Sequence, residues 1–112
     1  MDRDDILARI EKRIYTKSPG VFLLLNLNCK NRFGSSLARL LLEDPGKLYK
    51  LITDTYRDKI TANFIFKDLL VKSLATELGY PDMADSLYEA ALKDQEKYKS
   101  LIQDMMKGTK ET

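Results

Sequence analysis

The chain has 112 residues, 44% hydrophobic and 32% charged, with one cysteine, no histidine and a formal net charge of +2. That is the length of one domain, enough to bury roughly two-thirds of its unfolded surface without staples. Lacking histidine, it has no access to the commonest general base, the commonest nitrogen ligand for metals, or any His-dependent triad.

A single cysteine, Cys29, permits no internal disulfide and no Cys/His zinc site, and it points to a reducing, cytoplasmic setting. The amino-terminal MDRDDILARIEKR is charged and amphipathic, without the apolar run of a signal peptide. Charge is unevenly spread. Residues 1–57 balance at +4 and residues 58–112 at −2, and between Arg9 and Arg39 seven basic side chains stand against Glu11 alone.

Asp2, Asp4 and Asp5 precede Ile6, Leu7, Ile10 and Ile14, the pattern of an acidic first turn followed by one helical face. This predicts a helix over about 3–16, broken at Ser18-Pro19-Gly20, where serine can cap and proline fits a first helical position. The stretch 21–29, VFLLLNLNC, has the length of a buried strand. Nothing else offers a strand to pair with it, so a helix is expected, ending at Gly34.

Ser35 is the expected cap of a short helix through Leu37, Leu40, Leu41 and Leu42. Asp44-Pro45 opens the next, which carries Leu48, Leu51, Ile52, Thr55 and Tyr56 on one side. A break near Arg57-Asp58 leads to a central helix over about 59–78. On it Ile60, Phe64, Val71, Leu74, Ala75 and Leu78 form one face, and Ile65, Phe66, Leu69 and Leu70 fill much of the remainder. A helix apolar nearly all round belongs in the middle of a fold. Lys67, Asp68 and Lys72 speak against a bilayer, where each charge near the centre costs roughly 2.5 to 3.5 kcal/mol.

Gly79 closes that helix and Pro81 begins the last, predicted to reach about Lys107. Such a helix is about 40 Å long, against a diameter of roughly 34 Å for a compact domain of this size. Ala84, Ala91, Tyr98 and Met105 recur every seven residues, and Gln95 interrupts the seam. Beyond it Tyr98, Leu101, Ile102, Met105 and Met106 make a separate apolar cluster, which either folds back on the first helix or meets another chain, most simply in a twofold dimer. Residues 108–112 read as a frayed tail.

No catalytic constellation emerges. The Asp2, Asp4 and Asp5 cluster fits dipole partners better than metal ligands, and Gly34-Ser35-Ser36 is too poor in glycine to cradle phosphate. Positive neighbours could activate Cys29, although no base stands ready, so a small, half-buried residue is the simpler reading. Neither a metal nor a cofactor is implied. The basic segment offers Arg9, Arg13, Lys17, Lys30, Arg32 and Arg39 as contacts for nucleic-acid phosphates, with a sequence pI near 8.6 that falls short of the usual nucleic-acid domain.

Residues 35–78 resemble a group of small archaeal helical output domains. The elements that carry the resemblance are the leucine-rich Leu37 to Leu42, Asp44-Pro45, Leu51 to Tyr56, and the long apolar Ile60 to Leu78. Arg57 and Asp58 stand where the resemblance leads one to expect a glycine after the aromatic. It implies a regulatory module without catalysis and carries over no functional residue. The sequence therefore predicts an all-α bundle of five or six helices around residues 59–78. Its expected role is non-enzymatic, with a protein partner or second copy bound through the last helix, and with nucleic-acid binding as the alternative.

Overall fold

The computed structural model describes residues 2–110, which form seven α-helices and no strand. The helices are α1 (Arg3–Lys17), α2 (Pro19–Phe33), α3 (Leu37–Glu43), α4 (Pro45–Tyr56), α5 (residues 59–77), α6 (Ala84–Lys93) and α7 (Gln95–Lys110). A short 3-10 turn, Pro81–Met83, precedes α6. Their buried side chains join in one continuous core.

The chain's punctuation works by satisfying helix-end amides and carbonyls. Asp2 accepts from the Asp5 amide at 2.9 Å, and Asp44 from that of Lys47 at 3.4 Å, with Pro45 at the first position of α4. Gly34 and Gly79 take φ of 67° and 87°, the left-handed conformation that ends a helix. The cap of α3 is Ser36 rather than Ser35, and Asn26 of α2 accepts from the Leu37 amide at 2.9 Å, tying the two helices together. Arg57 ends α4 with φ of 57°, a left-handed position held without glycine.

Helix α5 packs against α1, α4 and α6. It is α-helical over Lys59–Phe64 and Lys72–Glu77 but π-helical over Ile65–Val71. Its buried side chains include Ala62, Ile65, Phe66, Leu70, Val71, Leu74 and Ala75, with Leu78 just past its end. Phe66 sits at the centre, edge-on to Tyr49 of α4 at 5.2 Å and 6.0 Å from the Tyr88 ring of α6. The expected inward face is corrected at its start: Ile60 and Phe64 are 81% and 63% exposed. Hydrogen bonding from i to i+5 takes roughly one more residue per turn than an α-helix. Positions that share a face at 100° per residue therefore lose their register across the π segment.

The single long C-terminal helix is corrected as well. At Asp94 the backbone leaves the helix, with φ of −152° and ψ of 92°, and the Asp94 carboxylate accepts from the Lys97 amide at 3.1 Å to start α7. The break folds α7 back against α6 and α3. Two shorter helices thus stand where one of about 40 Å was expected, in a molecule whose extents are 39 × 26 × 24 Å. Helix α7 continues through Gly108 to Lys110, into the expected tail; Glu111 and Thr112 lie outside the described residues. Gly108 lies beside the Tyr80 ring, where a β-carbon would collide with the tyrosine hydroxyl.

Candidate functional site

Three regions bear on function: the C-terminal apolar cluster, the basic segment, and the outward side of α2.

The C-terminal cluster belongs to the core. Tyr98 is fully buried, Ile102 and Met105 are 4% and 3% exposed, and Leu101 and Met106 are half-buried. Tyr98 donates its hydroxyl to the Leu41 carbonyl of α3 at 2.5 Å, and burial pushes its ionisation well above the ordinary tyrosine range. Once the chain turns at Asp94, the side chains expected either to fold back on the first helix or to meet another chain pack against α3 and α6. Polar residues form the outer side of α7: Glu96, Lys97, Lys99, Ser100, Gln103, Asp104 and Lys107 are exposed.

The six basic candidates separate into different surroundings. Arg32 of α2 pairs with Asp54 of α4 at 2.9 Å and lies over the Phe33 ring. Arg39 pairs with Glu43 at 3.4 Å, and Glu43 also holds Arg3 at 3.3 Å. Lys30 is exposed in the last turn of α2. Arg9, Arg13 and Lys17 do come together. With Lys12 and Thr16 they line a groove along α1 that Glu77 of α5 closes on the other side.

Two arginines converge on Glu77: Arg9 Nε lies 2.7 Å and Arg13 Nε 2.5 Å from its carboxylate oxygens. The Glu77 side chain is 9% exposed. Burial alone would raise its pKa, but hydrogen bonds from Arg13 and Arg9 outweigh that and hold the carboxyl below its ordinary value. Sequence reasoning did not single out Glu77, which lies 64 and 68 positions from its partners.

Helix α2 differs from its neighbours. Its inward side buries Phe22, Leu25 and Cys29 against a core shared with α1, α3 and α4. On its outward side Leu23, Leu24 and Leu27 are 57%, 44% and 58% exposed. No charged residue lies between Lys17 and Lys30, and no acidic one between Glu11 and Glu43. The exposed leucines thus sit between two exposed lysines, with Tyr15 nearby, edge-on to Phe22.

Cys29 is fully buried, and burial pushes its thiol up to about 11, which keeps it a packing residue rather than a nucleophile. Among the described residues no group of three or more Cys, Asp or Glu side chains could hold a metal ion, and no helix is long and apolar enough to cross a membrane. Compared with known protein families, curated proteins and solved structures, the chain matches none of them.

Proposed function

We infer that this protein is a non-enzymatic helical interaction module whose contact surface is the outward face of α2, and that its partner is an acidic amphipathic helix of another protein. The observation that carries this is the apolar stripe Leu23, Leu24 and Leu27, exposed on α2 and flanked along the chain by the exposed Lys17 and Lys30. A helix lays its apolar side into such a strip, and carboxylates at the rim of the partner answer the lysines. A second copy fits less well, since a twofold pairing of α2 with α2 brings lysines toward lysines without an acid in the segment. The resemblance of residues 35–78 to small helical output domains favours the same regulatory class.

Magnitude sets the kind of contact. Three half-exposed leucines contribute about 3 kcal/mol when covered, less than association itself costs. Charge pairs and peripheral contacts must add to it, so the complex is transient, with micromolar rather than nanomolar affinity.

The test uses a synthetic amphipathic helix of about eighteen residues, with leucines spaced i, i+3, i+4, i+7 and glutamates on the flanks, and a second peptide with lysines replacing the glutamates. Calorimetry should show the acidic peptide binding at least tenfold more tightly than the basic one. Leu23→Glu/Leu27→Glu should weaken it at least tenfold. Equal affinity for both peptides, no effect of the double substitution, or sedimentation showing α2-dependent dimers at tens of micromolar overturns the reading.

A further inference from the structure

We propose that the groove between α1 and the end of α5 is a binding site for a phosphate-bearing ligand. It shares Lys17 with the edge of the α2 surface but none of that surface's leucines, and it does not depend on that reading. Its volume is about 430 Å³, and one stripe of α1 supplies five of its lining side chains: Arg9, Lys12, Arg13, Thr16 and Lys17. Those positions are related by steps of three and four, so they share a side of the helix. From Arg9 to Lys17 the stripe runs about 12 Å, at 1.5 Å per residue.

The charge balance decides what the groove takes. Four cations face a single carboxylate, that of Glu77. The carboxyl ends of α1 and α5 subtract about half a charge each. Roughly two positive charges remain, enough to favour an anion and not to require a highly charged polymer. Glu77 fixes both guanidiniums from their Nε edges at 2.7 and 2.5 Å, so they are oriented before any ligand arrives. Among the described residues Lys12 and Lys17 have no ion-pair partner, and both are exposed at the open side. Arginines held in a fixed plane beside mobile lysines suit phosphate: the guanidinium fork recognises oxygen geometry and the ammonium supplies charge.

Two sources share this chemistry, a free polyphosphate or phosphate ester and a nucleic-acid backbone. At about 3.4 Å per phosphate the stripe spans three or four phosphates of one strand.

The experiment titrates the full chain, at about 50 mM salt, with inorganic tripolyphosphate and separately with a single-stranded oligothymidylate of about twelve nucleotides. Amide chemical shifts report the site, and Lys12→Glu/Lys17→Glu is compared with Lys93→Glu/Lys107→Glu, a pair of equal charge change on exposed positions outside the groove. The expected result is shifts confined to residues 9–17 and 77, a loss of tenfold or more in the groove variant, and less than twofold in the other. Binding of tripolyphosphate alone assigns a free phosphate ligand. Binding of the oligonucleotide, with about eighteenfold loss between 50 and 200 mM salt for three neutralised phosphates, assigns a strand. Failure of both probes to bind, shifts elsewhere, or equal losses in the two variants overturns the site.

Discussion

Helices α2 and α7 each carry an apolar cluster that the sequence alone leaves unplaced, and they dispose of it in opposite ways. On α7 the chain turns at Asp94, so that Tyr98, Ile102 and Met105 enter the core and a polar side faces out. On α2 both sides are apolar: Phe22, Leu25 and Cys29 fill the core, while Leu23, Leu24 and Leu27 stay exposed. An apolar cluster near a chain end is thus no guide to an interface. What distinguishes the two is the opposite side of the same helix. Where that side is polar the apolar seam is already in use, and where it is apolar something is left to cover.

The largest expected effect breaks the α7 half of this comparison. Met105→Asp buries a carboxylate at a position 3% exposed, and should cost about 4 kcal/mol. For a domain whose whole stability is of order 5–15 kcal/mol this removes between about a quarter and four-fifths of it. Denaturant titration checks it. A loss below about 1 kcal/mol would mean that α7 does not close the core, and its cluster would return as a contact surface.

A middle-sized effect concerns the clamp between α1 and α5, which joins the core differently from either helix. Glu77→Gln removes the negative charge and one of the two acceptor oxygens that Arg9 and Arg13 share, and should cost about 1–2 kcal/mol at neutral pH, toward the lower end because both guanidiniums face water. Because the folded carboxyl lies below its ordinary value, its contribution is full above the unfolded pKa and is lost as pH falls through the folded one. The stability gap between wild type and Glu77→Gln should therefore shrink below about pH 4. A gap constant from pH 7 to about pH 3 would show that the ion pairs contribute nothing. Acid should leave Met105→Asp damaging, since a protonated carboxyl is still polar and still forfeits the methionine's packing.

Much of the architecture was legible because its signals are local. Asp44-Pro45, Gly34 and Gly79 mark helix ends through backbone geometry that only a few residue types satisfy. The helix over residues 21–29 followed from the absence of any strand to pair with it. The misreadings have non-local causes, or signals too weak to read alone. Lys93-Asp94-Gln95 contains neither glycine nor proline, and only the polar run around it hints that a new helix starts. The π segment at Ile65–Val71 has no compositional mark, so Ile60 and Phe64 fell on the wrong side of α5. Basic residues could be counted, but their acids could not be assigned. Glu77 and Asp54 hold Arg9, Arg13 and Arg32 by tertiary pairing, whereas Arg39 meets Glu43 one turn along its own helix.

The smallest expected effect is the most discriminating for α2. Leu27 is 58% exposed, so Leu27→Glu gives up less than half of a leucine's burial, about 0.8 kcal/mol. Glutamate matches leucine in helix propensity, and at position 27 it stands three residues before Lys30, an arrangement that returns about 0.3 kcal/mol. The net change should lie within about 0.5 kcal/mol of zero, the range of surface substitutions, while binding of the acidic peptide falls. A substitution that alters recognition and leaves folding untouched separates a contact surface from a core position, which Met105→Asp cannot do. If Leu27→Glu instead costs more than about 2 kcal/mol, the outward side of α2 is covered within the protein itself. The contrast with α7 would then collapse into a single rule, that both helices spend all their apolar surface on the fold.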